Sequence, residues 1–335
     1  MTCDQTAAYL EELDVPLIEL RDAETRALLT PLGARVMAIA GDGLPENPLF
    51  VHPGLKPFRD QIGARFVGGH GIGGDRLWLS PEYRYYWNGT PNLWDFSRYA
   101  PPTTIDPGSY RLESRTGRSA LFSMRGELRG GVRFEVSRGI ELQAPHETPP
   151  EVTLIGLRYQ HDLRLLDGPA DAQLGLWSVL QVPAGSRFIV PTRSTEVRPL
   201  PCVGDAGARM HVAPECLTWD VTGDAFAKIA LCAADITGRV AVWQEGTDGR
   251  ATLLVREFPV FPHLTYGDAL VPEQVGQQAL QIFDGLGYGE LETHSPCVVP
   301  SNPLYSETTF LWALAGPADA VRRAAPLFIN QEIPS

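Results

Sequence analysis

The sequence predicts an all-β protein, built as a large antiparallel sandwich with short helices near the two ends. Short apolar runs recur along most of the 335 residues, turns rich in glycine and proline separate them, and few segments have helical periodicity. Apolar residues make up 44% of the chain, which is ample for a large core. Because no linker composition and no repeat of fixed period occurs, we expect a single domain over residues 1–335.

The first part of the chain is predicted to begin with one helix and then change to strands. Residues 4–13 can form a short helix, with Asp4 as its N-cap. The strands that follow are residues 15–20, 27–32 and 35–39. Four prolines and three glycines within residues 41–58 then predict a long loop that leads into an aromatic-rich stretch.

The later strands are predicted from β-type runs bounded by glycine and proline. They are residues 110–114, 120–128, 132–142, 152–166, 172–182, 227–233, 240–245, 251–258, 279–284, 289–295 and 307–315. Residues 183–216, rich in proline, glycine and arginine, are expected to form an extended excursion between strands. Residues 318–325 are predicted to form a final helix that Pro317 opens, since proline is favoured in the first turn of a helix.

Composition excludes several classes of function. The net charge of -12 and the absence of a basic run argue against binding to nucleic acid or to an anionic membrane surface. The five cysteines are scattered without zinc-site spacing, and no nucleotide-binding or HExxH motif occurs, so we expect no metal and no cofactor. The beginning of the chain lacks signal-peptide features, and no apolar run approaches the ~20 residues of a membrane span. These features predict a cytoplasmic protein.

Residues 68–99 form the densest aromatic stretch of the sequence. Eight of the chain's 30 aromatic residues, Trp78 among them, fall within its last 22 positions, and five glycines precede them. Asp75, Arg76 and Glu82 are interleaved with the rings. Flat rings beside fixed donors and acceptors suit a sugar, whose C–H faces pack on rings while its hydroxyls bind charged groups. The alternative is an aromatic-rich loop that plugs one end of the sandwich.

A late strand carries a second group of polar residues. Because alternate residues of a strand share a face, Glu290, Glu292 and His294 point the same way. Two carboxylates this close repel one another, which raises the pKa of one of them and makes it a better general base. The alternative is the solvated outer face of an edge strand.

Two histidines are candidates for chemistry. His70 lies in the glycine-rich segment before the aromatic residues, and His161 lies in the long strand predicted over residues 152–166. A lone histidine in a strand is more often structural, so half-burial is the simpler interpretation of His161.

Three segments resemble the galactose mutarotase-like superfamily, also called aldose 1-epimerase-like. They are residues 28–50, residues 74–82 with the pattern GDRLWLSPE, and residues 290–296, Glu-Leu-Glu-Thr-His-Ser-Pro, followed by residues 307–312. The resemblance implies a β-supersandwich with a sugar-binding groove on its concave sheet. In mutarotases a glutamate takes the proton of the anomeric hydroxyl and a histidine protonates the ring oxygen. Glu292 matches that glutamate, and His70 is the candidate acid or substrate ligand.

The sequence departs from the family at one position. Mutarotases carry a catalytic histidine in a mid-chain Asn-His motif, whereas the corresponding strand here has Gln160 before His161. Either His161 fills this role or the role is absent.

The leading hypothesis is an enzyme with mutarotase- or epimerase-like acid–base chemistry at or near the anomeric centre of a sugar. Glu292 would be the general base and His70 or His161 the acid. The predicted substrate-binding residues are Asp75, Arg76, Trp78, Glu82, Glu290 and His294. The expected partner is a small-molecule sugar or an oligosaccharide, without nucleic acid or membrane, and the oligomeric state is open.

Two alternatives use the same scaffold. A glycoside hydrolase or lyase would need two carboxylates flanking a glycosidic bond, which Glu292 with Glu82 or Asp75 would supply. A non-catalytic sugar-binding protein would need only the groove.

Overall fold

The computed structural model describes residues 1–44, 46–55, 72–92, 96–108, 110–143, 148–267 and 276–334. Most of the regular structure in these ranges is β-strand, and the helices are short. The helices are α1 (Cys3–Glu12), α2 (Glu82–Tyr85), α3 (Ala318–Ala324) and α4 (Pro326–Ile329). No helix in the described ranges is long and apolar enough to cross a membrane.

The strands are β1 (Ile18–Arg21), β2 (Thr25–Thr30), β3 (Arg35–Gly41), β4 (Asp75–Ser80), β5 (Arg111–Arg115), β6 (Ser119–Leu128), β7 (Val132–Gln143), β8 (Thr153–Asp167), β9 (Gly175–Pro183), β10 (Arg187–Pro191), β11 (Leu200–Val203), β12 (Met210–Ala213), β13 (Cys216–Asp220), β14 (Ala227–Cys232), β15 (Arg239–Glu245), β16 (Arg250–Glu257), β17 (Gln278–Gly285), β18 (Tyr288–His294) and β19 (Leu304–Pro317).

These strands form two large sheets. Within the described part of the chain, the first sheet has nine strands in the order β1-β2-β3-β4-β9-β18-β17-β14-β11. The second has ten, in the order β12-β13-β10-β15-β16-β19-β8-β7-β6-β5. Neighbouring strands in both sheets pair antiparallel. The predicted all-β antiparallel sandwich with short terminal helices is therefore confirmed.

The main core lies between the two sheets. Alternate side chains of each strand point inward, so apolar residues of both sheets meet in one cluster. Val36, Leu180 and Leu291 come from the first sheet, and Leu157 and Leu254 come from the second. All five are buried, so burial of their apolar surface favours the stacking of the two sheets.

The outer faces of the sheets differ. On the second sheet, α3 and α4 cover an apolar surface, where Trp312 packs against Phe328 with ring centroids 6.1 Å apart. On the first sheet, α1 packs over β2 and β3, where Cys3, Leu28 and Ala38 form a small buried cluster. The outer face of the first sheet beyond β3 carries polar and aromatic side chains instead.

The structure also differs from the sequence predictions at three places. Thr2, rather than Asp4, is the N-cap of α1: its Oγ1 accepts from Gln5 N at 3.2 Å, and the Gln5 side chain accepts from Thr2 N at 2.8 Å. Residues 183–216, predicted to be an extended excursion between strands, themselves contain strands β10, β11 and β12. Strand β4 lies within the aromatic-rich stretch, where no strand is predicted.

Candidate functional site

Two glycines allow β4 to enter the first sheet. Gly73 and Gly74 have φ angles of +105° and +75°, which favour glycine. A Cβ atom at Gly73 would collide with the carbonyl oxygen of Phe50, and one at Gly74 with that of Val36. Part of the glycine run before the aromatic residues is thus needed for close backbone approach. The other three glycines of that run, Gly68, Gly69 and Gly71, lie outside the described residues, as does His70.

Strands β4, β9 and β18 are neighbours in the first sheet and bring the two predicted regions together. Trp78 of β4 and His294 of β18 both lie opposite Trp177 of β9. By strand alternation, Arg76 and Trp78 share the outer face with Glu290, Glu292 and His294. Strand β18 is an interior strand with buried side chains, so the alternative of a solvated edge strand does not describe it.

Arg76 and Glu290 form a buried ion pair across β9. Arg76 Nη2 donates to Glu290 Oε1 at 2.9 Å, although the residues are 214 positions apart in sequence. Gln181 Nε2 donates to the same oxygen at 2.7 Å. Burial disfavours the charged guanidinium, but Glu290, acting together with Asp106, Tyr288 and Glu292, outweighs this and raises the pKa of Arg76. The guanidinium also lies 4.1 Å from the centre of the Trp78 ring.

Glu292 has a different cation. Its Oε2 accepts from Trp177 Nε1 at 2.9 Å and from Lys228 Nζ at 2.9 Å. The same ammonium lies 3.9 Å from Glu82 Oε2. Since Glu290 pairs with Arg76 and Glu292 with Lys228, the repulsion between these two carboxylates that the sequence predicts is offset by two cations.

The aromatic residues near these charges pack against one another. Trp78 and Trp177 are 5.2 Å apart at 81°, and Tyr86 lies 5.5 Å from Trp78 and 5.8 Å from Trp177. His294 stacks on Trp177 at 5.5 Å, and Tyr99 lies 6.2 Å from Tyr86. All five side chains are buried. The rings therefore form a packed wall beside the carboxylates.

Asp75 lies on the opposite face of β4, in the interior between the sheets. Its carboxylate accepts hydrogen bonds from Arg138 Nη2, at 3.1 Å, and from Arg256 Nη2, both of the second sheet. Burial raises the pKa of Asp75, but the two guanidinium groups hold it at about 2. Both groups also lie over the ring of Tyr159, at 4.7 and 5.0 Å.

His161 belongs to the same interior region. Its Nδ1 lies 3.0 Å from Glu307 Oε1, and its ring is 5.9 Å from that of Tyr159. Burial lowers the pKa of His161 and so favours the neutral imidazole. Glu307 has the opposite effect on this pKa but does not outweigh burial. The structure thus separates Asp75 and His161 from the outer face that carries Glu292.

Known proteins resemble this chain in three-dimensional structure, whereas comparisons of sequence find no match. No known family profile matches the sequence, and no curated protein sequence matches it. A candidate aldose 1-epimerase from Escherichia coli K12 superposes with a TM-score of 0.52 at 12% identity, over 89% of this chain and 99% of that chain. A galactose mutarotase related enzyme from Lactobacillus acidophilus gives a TM-score of 0.51 at 11% identity, over 89% and 97% of the two chains.

The chain has a galactose mutarotase-like fold. The fold expected from the resemblance is thus confirmed, and at 11–12% identity the similarity concerns the fold alone.

Within this galactose mutarotase-like fold, Lys228 is one of the residues that the sequence predictions missed, together with Gln181 and Trp177. Lys228 is one of only two lysines in the sequence, although lysine and arginine together number 28. Its side chain is 8% exposed and lies in a strand, where an ammonium group is costly unless paired. The sequence does contain one signal for this residue. A lysine inside the apolar run Ala-Lys-Ile-Ala-Leu, in a chain that otherwise uses mostly arginine, indicates a buried ammonium group that needs a partner. In the described ranges, no group of three or more His, Cys, Asp or Glu side chains could hold a metal ion.

Proposed function

We propose that the protein is a carbohydrate-active enzyme that performs acid–base chemistry at or near the anomeric carbon of a sugar, with Glu292 as the general base. The contact between Glu292 Oε2 and Lys228 Nζ, at 2.9 Å, supports this most strongly. It places a proton acceptor and a proton donor side by side on a polar, ring-lined face of a mutarotase-like sheet.

The geometry suits a sugar hemiacetal because the anomeric hydroxyl and the ring oxygen are bound to the same carbon. In this proposal Glu292 takes the proton of the hydroxyl while the Lys228 ammonium gives a proton to the ring oxygen. The bond between the anomeric carbon and the ring oxygen breaks, and the hydroxyl oxygen becomes the carbonyl oxygen. After rotation about the adjacent carbon–carbon bond, the reverse transfers close the ring on the other face and restore both residues.

Other residues of the face take supporting roles in this proposal. Glu82 holds the ammonium of Lys228, while Arg76, Glu290 and His294 contact sugar hydroxyls. Trp78 belongs to the wall of the site. Because His161 lies between the sheets, Lys228 replaces it as the acid, and His70 stays a predicted ligand or acid outside the described residues.

The substitution Glu292→Gln tests the proposal. Loss of a general base lowers rates by roughly 10²–10⁴-fold, so the anomer exchange rate should fall at least about a hundredfold. Exchange NMR on a panel of reducing aldoses measures this rate. The control is Glu135→Gln, whose carboxylate pairs with the exposed Arg125 at 2.8 Å. An exchange rate that is unchanged in a folded Glu292→Gln protein would refute the assignment.

A glycoside hydrolase or lyase is the second candidate. One observation favours it: Glu82 and Glu292 both lie within 4.0 Å of the same Lys228 ammonium, so two carboxylates converge. Cleavage of a glycosidic bond needs such a pair. Product analysis on reducing and non-reducing oligosaccharides decides between the candidates, and a lack of chain cleavage together with anomer exchange rejects this one.

We also propose a cytoplasmic location and a sugar or oligosaccharide as the partner. The net charge of -12 disfavours nucleic acid and anionic membrane surfaces as partners.

A further inference from the structure

We propose that the site continues past Glu290 into a second subsite, formed by Phe283 and Phe226, which takes a further sugar ring. The substrate would then be a linked sugar that binds through at least two rings. This inference rests on the proposed function, since it extends the same face of the first sheet.

Phe283 lies directly beside the charged residues. In the register of the sheet, Phe283 of β17 is opposite both Glu290 of β18 and Lys228 of β14. Its side chain therefore shares the outer face with them. Glu290 and Lys228 are buried, whereas Phe283 is only half-buried. The ring is thus a partly open surface between two charged groups that can bind hydroxyls.

A series of aromatic rings leads from this position to solvent. Tyr288 packs against Phe50 at 4.9 Å and against Phe283 at 6.3 Å. Phe283 meets Phe226 edge to face at 5.7 Å. Exposure rises along this path, from 2% at Tyr288 to 40% at Phe226 and 57% at the neighbouring turn residue Leu286. The buried carboxylates are therefore connected to the surface by an apolar strip.

Phe226 is held in place by its surroundings. Its φ angle of +46° is strained for a bulky residue, and such strain persists where neighbouring structure enforces it. The buried carboxylate of Asp284 accepts from Gly223 N at 2.6 Å, from Thr222 N at 3.0 Å and from Thr222 Oγ1 at 3.1 Å. Gly285 leaves room for the backbone of Phe226 and for the Phe283 ring, since a Cβ there would lie 3.0 Å from the Cα of Phe226 and 2.8 Å from Cζ of Phe283.

This arrangement is costly for folding alone. A glycine at position 226 would relieve the backbone strain. A ring fixed on a rigid loop beside carboxylates is suited to stack on the C–H face of a sugar at little entropic cost. Continuity with the charged face of β18 and β14 selects a further sugar ring as the occupant.

The test is a comparison of saccharide lengths. A glycan array of neutral, amino and acidic mono-, di- and trisaccharides, followed by calorimetry on the hits, gives the affinity ratio of an oligosaccharide to its own monosaccharide. We expect a ratio of about tenfold or more for the unmodified protein, from stacking on the added ring. The ratio should fall to about one in Phe226→Ala and in Phe226→Gly. The glycine variant removes the backbone strain together with the ring, so it separates loss of the ring from the strain that remains in the alanine variant.

A matched control is Leu327→Ala, which removes an exposed apolar side chain from α4 on the other sheet and should retain the ratio. This inference is overturned if monosaccharides and oligosaccharides bind with equal affinity. The proposed function still stands in that case, provided that the rate of anomer exchange depends on Glu292. A ratio that survives in the Phe226 variants also overturns this inference. Loss of self-association in these variants, with the ratio intact, assigns the strip to contact between copies. No binding by any saccharide rejects the proposed function as well.

Discussion

Three charged residues, Asp75, Arg138 and Arg256, are buried together between the sheets. Asp75, Arg138 and Arg256 are each no more than 1% exposed, and an unpaired charge at such a site would be prohibitively costly. Asp75 belongs to the first sheet and its two arginine partners to the second. The cluster therefore fixes the position of one sheet against the other at a point where apolar contacts alone would be less specific.

Replacing Asp75 by asparagine should destabilise the protein. The substitution leaves two buried guanidinium groups without a carboxylate, so we expect the free energy of unfolding to fall by about 3–5 kcal/mol. Urea unfolding at pH 7 measures this change. Asp220→Asn is the control, because its carboxylate pairs with Arg187 at the surface and should contribute less than about 1 kcal/mol.

The pH dependence gives a check on this prediction. The pKa of Asp75 is about 2 in the folded state, below its ordinary value of about 3.9, so the unfolded state binds the proton more tightly. The stabilisation by Asp75 is complete above about pH 4 and is lost as the pH falls toward 2. The difference between the unmodified protein and Asp75→Asn should therefore shrink over that range. A constant difference would contradict the ion-pair explanation.

At the scale of elements, strands with a regular pattern could be predicted from sequence. The shared face of Glu290, Glu292 and His294 follows from alternation alone, and the structure has it in β18. Strand β4 could not be predicted in this way. Its residues Asp75 and Arg76 resemble a polar loop until their partners Arg138, Arg256 and Glu290 are known, and these partners come from distant segments.

The same limit applies to the candidate site. Lys228 contacts Glu292, and Gln181 contacts Glu290, because β14 and β9 lie near β18 in the sheet. The order of strands in the sheet cannot be predicted from any local sequence pattern. The predicted grouping of Asp75 with Arg76 fails for a related reason. Adjacent residues of a strand point to opposite faces, so only Arg76 faces Glu290.

The entry of β4 into the sheet depends on Gly74. Gly74→Ala forces an alanine into the left-handed region and drives its Cβ into the Val36 carbonyl oxygen, so we expect a loss of several kcal/mol, above the ~1–3 kcal/mol of strain alone. Thermal and urea unfolding measure the loss. The matched control is Gly130→Ala, which has a similar φ of +80° but open space around the new Cβ. Equal losses in the two variants would show that the collision is relieved by movement of the strand.

At the scale of the whole molecule, the two sheets have one core and different outer faces. The core cluster includes residues from the first sheet, such as Leu180, and from the second, such as Leu157. We infer from this shared core that residues 1–335 form a single domain. Helices α3 and α4 cover the second sheet, whereas α1 covers only β2 and β3 of the first. The outer face of the first sheet beyond β3 is therefore the one that carries candidate chemistry.

A single domain should unfold in one cooperative step. We expect tryptophan fluorescence and far-ultraviolet circular dichroism to give the same urea midpoint, because neither sheet keeps its core without the other. Asp75→Asn should shift both signals together. Two separate transitions, or a shift confined to one signal, would show that the sheets belong to independently folding units.

Because lysine is scarce in this protein, chemical labelling of lysine can report whether the candidate site is accessible to solvent. With only Lys56 and Lys228 in the sequence, reagents that label primary amines meet very few targets. The ammonium of Lys228 lies against Glu292, so its labelling requires that the reagent reach the centre of the candidate site. Peptide mapping of the modified protein would therefore record how often that centre is accessible to solvent, and protection by an added saccharide would identify the occupant without an assay of turnover.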